Sequence, residues 1–274
     1  MLLKRTLTAV LFAPVVIFVV LLSPTWLLAP IVALAVLAAL WEWARLSGLR
    51  SRRTRGVLLG VTLAVLALLW WLRASPLWPF MLVVGVAWWA LACLWLNHFA
   101  FAAAPTAENR NLKLLAGAFV LLPAFVGLLT IHGSEPPGHW HWWTLLALLI
   151  VWAADIGAYF SGRFLGKRKL APNISPGKTW AGVYGAFVAG ALVTVIGGWL
   201  LGATGWRLLG LALLAVFTVA ASVVGDLVES LMKRHAKVKD SGRMFPGHGG
   251  LLDRMDSVFA AVPVFALGKL LLGL

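Results

Sequence analysis

The chain has 274 residues, 62% of them hydrophobic and only 12% charged, with a mean hydropathy of +0.94 and a net charge of +14. That composition excludes a soluble globular domain, and a single cysteine, Cys93, excludes a disulfide framework or a thiolate metal cluster. The basic residues gather in a few connections between apolar runs, which argues for a topology signal rather than for nucleic acid as a partner.

Nine apolar runs approach the roughly 20 residues that a bilayer-crossing helix needs. They fall at about 6–23, 26–47, 56–73, 77–97, 112–132, 141–161, 180–202, 206–230 and 257–274. The runs are continuous rather than alternating, which predicts helices and not a transmembrane β-barrel. The expected fold class is all-α: a polytopic integral membrane protein of about nine transmembrane helices. The first run follows Lys4 and Arg5 and passes through Pro24 and Trp26 straight into the second, so it is read as a signal anchor and not as a cleaved leader. With the N-terminus in the cytoplasm, 20 of the 23 Lys and Arg residues fall on the cytoplasmic side, leaving Arg73, Arg207 and Lys269 outside. Many of the 16 Trp residues, among them Trp26, Trp43, Trp71, Trp78, Trp140 and Trp206, sit near run ends as an interfacial belt would. Cys93 is expected to be an inert, buried side chain.

The first part of the chain, 1–140, reads as a scaffold of about five helices. Its main intramembrane acid, Glu42, is expected to pair locally with Arg45 at i+3. The loop 132–141 holds three His residues, but their spacing fits no zinc pattern and a solvated loop is expected. The second part, 141–274, carries the chemistry in two polar connections, 162–180 and 230–256. Asp155 lies inside the sixth run and Asp226 near the end of the eighth, and ionisable groups at membrane depth mark function.

The first connection runs from Asp155 and Tyr159, which share a helix face, through Arg163 into Ser175-Pro-Gly-Lys178-Thr179-Trp180. Gly162 and Gly166, four apart, allow close helix approach or close approach of backbone to a ligand. The pentapeptide is not a Walker A loop, but at a helix start it offers N–H groups, hydroxyls and an ammonium to a phosphate; the competing reading is a plain N-cap by Thr179 or Ser175. In the second connection Asp226, Glu229, Ser230 and Lys233 form one polar stripe, with a Glu229–Lys233 salt bridge explaining part of it. Beyond Lys239 and Asp240, a Gly-rich turn around His248 leads to Asp253, Arg254 and Asp256. Carboxylates from two helix ends beside several cations suit a divalent metal and phosphoryl or nucleotidyl transfer.

Ser230-x-Met232-Lys233-Arg234, Lys239-Asp240-x-Gly242, Phe245-Pro246-x-His248-Gly249-Gly250-Leu251 and Asp253-Arg254-Met255-Asp256 together resemble the signature of the phosphatidate cytidylyltransferases, or CDP-diacylglycerol synthases. The segments 155–178 and 225–230 resemble that family too, and the first 150 residues do so by hydropathy alone. One departure is Ala181, where many members carry an acid. The resemblance implies that phosphatidate and CTP are the substrates and CDP-diacylglycerol and pyrophosphate the products. It implies Mg²⁺, with a second, monovalent cation such as K⁺. Asp226, Asp253 and Asp256 would hold the metal, and Lys233, Arg234, Lys239 and Arg254 would neutralise the triphosphate. Ser175, Lys178 and Thr179 would bind a phosphate, His248 would assist with pyrophosphate, and Asp155, Tyr159, Arg163 and Ser230 would line the substrate site. A bacterial plasma or inner membrane, a cytoplasmic active site and a homodimer follow from the same resemblance. Other lipid-phosphate nucleotidyltransferases and a polytopic transporter are the alternatives.

Overall fold

The computed structural model describes residues 13–135, 140–244 and 249–274. Lys4, Arg5, His139 and His248 lie outside the described residues. Among the described residues the chain forms nine helices: α1 (Ala13–Leu22), α2 (Thr25–Leu46), α3 (Arg52–Trp71), α4 (Leu77–Asn97), α5 (Ala107–His132), α6 (Trp142–Leu165), α7 (Trp180–Leu200), α8 (Trp206–His235) and α9 (Leu252–Leu271). Seven of them, α2 to α8, are long and apolar enough to cross a membrane. The protein is thus a multi-pass, helical membrane protein. A small antiparallel hairpin, β1 (Lys169–Ala171) and β2 (Ser175–Thr179), joins α6 to α7 and adds to the expected all-helical fold.

Five helices outrun the apolar segments that announce them, and all do so at the same, charged end. α3 starts at Arg52, α5 at Ala107 and α9 at Leu252, while α6 continues to Leu165 and α8 to His235. Hydropathy stops where hydrocarbon stops, whereas the i→i−4 hydrogen-bond ladder continues as long as the next residue accepts helical dihedrals. Two of these starts are capped, α3 by Ser51 and α5 by Thr106, and so is α7 by Thr179: each accepts a hydrogen bond, at 3.2 Å, from the backbone N–H of Thr54, Asn109 and Gly182 respectively. These overshooting turns carry most of the side chains discussed below.

α5 and α9 lie at the centre of the bundle, with α2, α4, α6 and α8 packed around them. α7 shows how a peripheral helix joins it. Its inward residues, Gly182, Ala186, Gly190, Thr194 and Gly198, recur every four positions and are small, while Tyr184, Val188, Leu192 and Ile196 point outward. Small residues let helices approach where lipid removes the hydrophobic drive to associate. Gly157 of α6 faces the backbone of Gly185 so closely that an added Cβ would collide with the Gly185 carbonyl oxygen. Backbone has little room to give, so Gly157→Ala should destabilise the protein by about 1–3 kcal/mol. Thermal unfolding of the detergent-solubilised variant measures this directly.

Several expectations for individual side chains change. Trp43 and Trp78 are buried rather than interfacial, donating through Nε1 to the Lys113 carbonyl at 2.7 Å and to Thr130 Oγ1 at 2.8 Å. Cys93 is exposed on α4, not buried. Within the 132–141 connection the two described histidines, His132 and His141, are buried and stacked, with ring centroids 3.4 Å apart, while Gly133, Ser134 and Trp140 are exposed. His132 Nε2 donates to the Val20 carbonyl at 3.1 Å, so its Nδ1 is left to accept from Thr25 at 2.9 Å. A closing loop at the uncharged end has to satisfy its polar groups internally, and the imidazoles do that here.

Candidate active site

One cavity of about 1270 Å³ runs from the middle of the bundle to its charged end. Its inner walls are hydrocarbon, including Val16 and Val20 of α1, Val32 and Val36 of α2, and Phe125 and Leu128 of α5. Its outer walls are Asp155, Tyr159 and Arg163 of α6, Lys178 and Thr179 of β2, Asp226 and Lys233 of α8, and Asp253, Arg254 and Asp256 of α9. Four chain segments far apart in sequence therefore present charge to one space.

Two ion-paired centres organise the polar end. Lys178 Nζ lies 2.6 Å from Asp226 Oδ2, linking the hairpin to α8. The Ser230 hydroxyl, one turn along α8, donates to the other oxygen, Asp226 Oδ1, at 3.4 Å. In the second centre Lys233 pairs with Glu229 on its own helix and with Asp253 Oδ1 on α9, the latter at 2.8 Å. The expected Glu229–Lys233 bridge is therefore present, but it is half of a bridge between helices. Asp253 Oδ2 accepts from the Ser241 N–H at 2.9 Å, the Ser241 hydroxyl at 2.8 Å and the Gly250 N–H at 2.8 Å. Asp253 thus ties α8, the 240–243 segment and the start of α9 together.

The helices that carry the carboxylates touch through their main chains. Gly225 of α8 lies against Asp256 of α9, where an added Cβ would sit 2.6 Å from the Asp256 carbonyl oxygen. Asp226 and Asp256 therefore flank one close helix crossing and open onto the same cavity.

The phosphate cradle expected at 175–179 takes a different form. These residues are the second strand of the hairpin, with Lys169 opposite Thr179 and Ala171 opposite Ser175, so the backbone is committed to strand pairing rather than curled around an anion. Thr179 is the α7 N-cap, and Lys178 alone projects charge into the cavity. Gly162 and Gly182 approach closely beside Thr179, confirming the close helix approach read from the Gly162–Gly166 spacing.

Other expected site residues are placed as follows. Arg163 Nη1 donates to the Tyr159 hydroxyl at 2.7 Å, both at the exposed rim. Arg234 Nε donates to the Ile174 carbonyl at 3.0 Å and so holds the hairpin turn. Ser175 and Ser230 do not line the cavity. Lys239 lines a separate cleft beyond the 240–243 segment.

Glu42 is the residue that sequence reasoning missed. It makes no pair with Arg45. Buried at 4% exposure in α2, it accepts from the N–H groups of Leu251 and Leu252, at 3.2 and 2.9 Å, and its Oε2 lies 2.8 Å from the Ser241 hydroxyl. Arg45 instead donates to the Ser241 carbonyl. The signal was available, since a buried acid near a span end needs a partner set of its own.

This geometry accompanies a clear relationship to known proteins. A model of the cytidylyltransferase family matches residues 3–271. The chain belongs to that family. Curated relatives include the phosphatidate cytidylyltransferase of Haemophilus influenzae, 38% identical over 97% of this chain and 98% of its own length. That of Pseudomonas aeruginosa is 39% identical over 97% of this chain and 96% of its own. The Synechocystis protein of the same name is 49% identical over 47% of this chain and 44% of its own length. Family membership makes the protein a nucleotidyltransferase.

Among the described residues no group of three His, Cys, Asp or Glu side chains converges to hold a metal ion. Asp253 has both oxygens engaged, by Lys233, Ser241 and Gly250. Asp226 and Asp256 still fit a hard divalent cation, because Mg²⁺ is commonly held by one or two carboxylates plus substrate phosphate and water.

Proposed function

We propose that the protein transfers the cytidylyl group of CTP to phosphatidate, giving CDP-diacylglycerol and pyrophosphate. The observation that carries this reading is the shape of the cavity: an aliphatic groove that ends at Lys178, Lys233 and Arg254 suits a substrate with acyl chains and a phosphate head. A phosphate oxygen of phosphatidate attacks the α-phosphorus of CTP. The bond from that phosphorus to the α,β-bridging oxygen breaks, and pyrophosphate leaves with the electron pair. With phosphatidate as a dianion, atoms and charge balance without proton transfer, so no general base and no protein nucleophile is needed.

Lys178 and Lys233 wait on Asp226 and on Glu229 with Asp253, and an arriving triphosphate offers each a stronger anion. Fixed cations around a transferring phosphoryl group stabilise charge without reorganising. Asp226 and Asp256 would hold Mg²⁺, which supplies Lewis-acid neutralisation of the reacting phosphates when bound. Arg163 and Tyr159, at the rim, orient the lipid head. The clustering of basic residues at this end supports a cytoplasmic placement, where CTP is found.

Incubating the purified protein with α-labelled CTP and separate lipid phosphates tests the reading. Label should move into an organic-soluble product with phosphatidate, stop on chelation and return with Mg²⁺. Transfer only to an isoprenoid phosphate, or to no lipid, would replace the reading with the lipid-phosphate or transporter alternative.

A further inference from the structure

A second cavity, of about 1170 Å³, lies at the same end of the bundle as the charged half of the first. The 240–243 segment stands between them: Ser241 faces Asp253 on one side, while Lys239, Asp240, Gly242 and Arg243 line the second space. Its other walls come from the end of α2, the 103–106 connection, the first turns of α5 and the end of α8. Seven Lys and Arg residues line it against one acid, Asp240.

Basic residues at this end of a membrane protein are ordinarily explained by topology, as solvated or lipid-facing charges. Lys113 does not fit that explanation. It is 5% exposed, lines the cavity, and has no carboxylate within ion-pairing distance among the described residues. A buried ammonium without a counter-charge is unfavourable unless something supplies one. In the catalytic cavity, by contrast, Lys178 and Lys233 both rest on carboxylates. The second cavity therefore concentrates positive charge that the protein itself does not neutralise.

We propose that this cavity is an anion site for a phosphate-rich ligand carrying several negative charges, distinct from the reaction centre. One phosphate would leave most of the cavity's cations unpaired, whereas a di- or triphosphate comes closer to matching their charge. The same chemistry is offered by a free polyphosphate and by a phosphorylated lipid head. The site also reaches the reaction centre, because Arg45 lines it and donates to the carbonyl of Ser241, whose N–H and hydroxyl hold Asp253. The inference stands independently of which lipid accepts the cytidylyl group.

Binding of inorganic tripolyphosphate to the full chain in phosphatidylcholine nanodiscs, followed by calorimetry, tests it. The Lys178→Ala variant removes the competing cation of the reaction centre and should leave one binding event. Adding Arg110→Gln and Arg243→Gln should weaken that event by about tenfold or more, each lost charge-assisted hydrogen bond being worth that much. Lys113→Met should weaken it similarly while keeping the protein folded, since the thioether fills the same space without charge. If wild-type discs bind no tripolyphosphate but retain an added diacylglycerol pyrophosphate in a manner lost in the Arg110→Gln/Arg243→Gln variant, the ligand is a lipid head. Tripolyphosphate binding that Lys178→Ala abolishes and the three second-cavity substitutions leave intact would overturn the proposal, as would no binding of either anion.

Discussion

Asp226→Asn will leave a folded membrane protein that turns over CTP at least about a hundredfold more slowly. The carboxylate has two duties that an amide cannot share: it holds Lys178 at 2.6 Å, and it faces the cavity beside Asp256 as an anionic oxygen donor. Stability should change little. The Lys178 and Asp226 side chains are 24% and 34% exposed, and a pair so accessible to water contributes about 1 kcal/mol or less. Steady-state kinetics and thermal unfolding on one preparation separate the two effects. Lys178→Met should raise the KM for CTP and lower kcat, and the Asp226→Asn/Lys178→Met double variant should be no slower than the worse single one, because both remove parts of one unit. Near-wild-type turnover in Asp226→Asn would move the reaction centre elsewhere.

The extent to which this site was legible in the sequence follows from the range of each interaction. Apolar runs announce helices because each reports only on its own residues; among the described residues each of the nine runs carries a helix, seven of them long and apolar enough to cross a membrane. The shared charged end was also legible, since positive residues fall in alternate connections. What the sequence hid were contacts between elements. Lys178 and Asp226 belong to different motifs, and nothing in either announces that they meet. The β2 strand was obscured because Ser-Pro-Gly-Lys-Thr has weak strand propensity and a strong turn signature. Lys239 sits six residues after Lys233 in one continuous signature, yet the chain turns at Lys237, which has a φ of 56°, and carries Lys239 to the far side of the 240–243 wall. Adjacency in a signature is not adjacency in space.

Glu42 is the plainest case, and substituting it should have the second-largest effect. α9 begins at Leu252 without a side-chain cap of its own. Its first N–H groups would be unsatisfied where the chain is buried, and Glu42 of α2 supplies the acceptors, aided by the positive end of the helix dipole. Gly242 and Gly250 make this possible, because an added Cβ on either would collide with the Glu42 carboxylate. The Ser241 hydroxyl, 2.8 Å from both Glu42 Oε2 and Asp253 Oδ2, transmits the placement to the reaction centre. Glu42→Gln keeps the shape but sets an NH₂ group against backbone N–H donors, at a cost of about 1–3 kcal/mol. As a positioning residue Glu42 should affect kcat more than the KM for CTP, by about tenfold to a hundredfold, since a misplaced Asp253 and Lys233 would still meet the nucleotide. Limited proteolysis offers a readout independent of activity: the variant should be nicked faster in the 236–250 segment. Gly250→Ala, which displaces the same carboxylate from the opposite side, should reproduce both changes. If Glu42→Gln were cut no faster and turned over normally while Gly250→Ala did neither, the loop would be held from elsewhere and α2 would be scaffold after all.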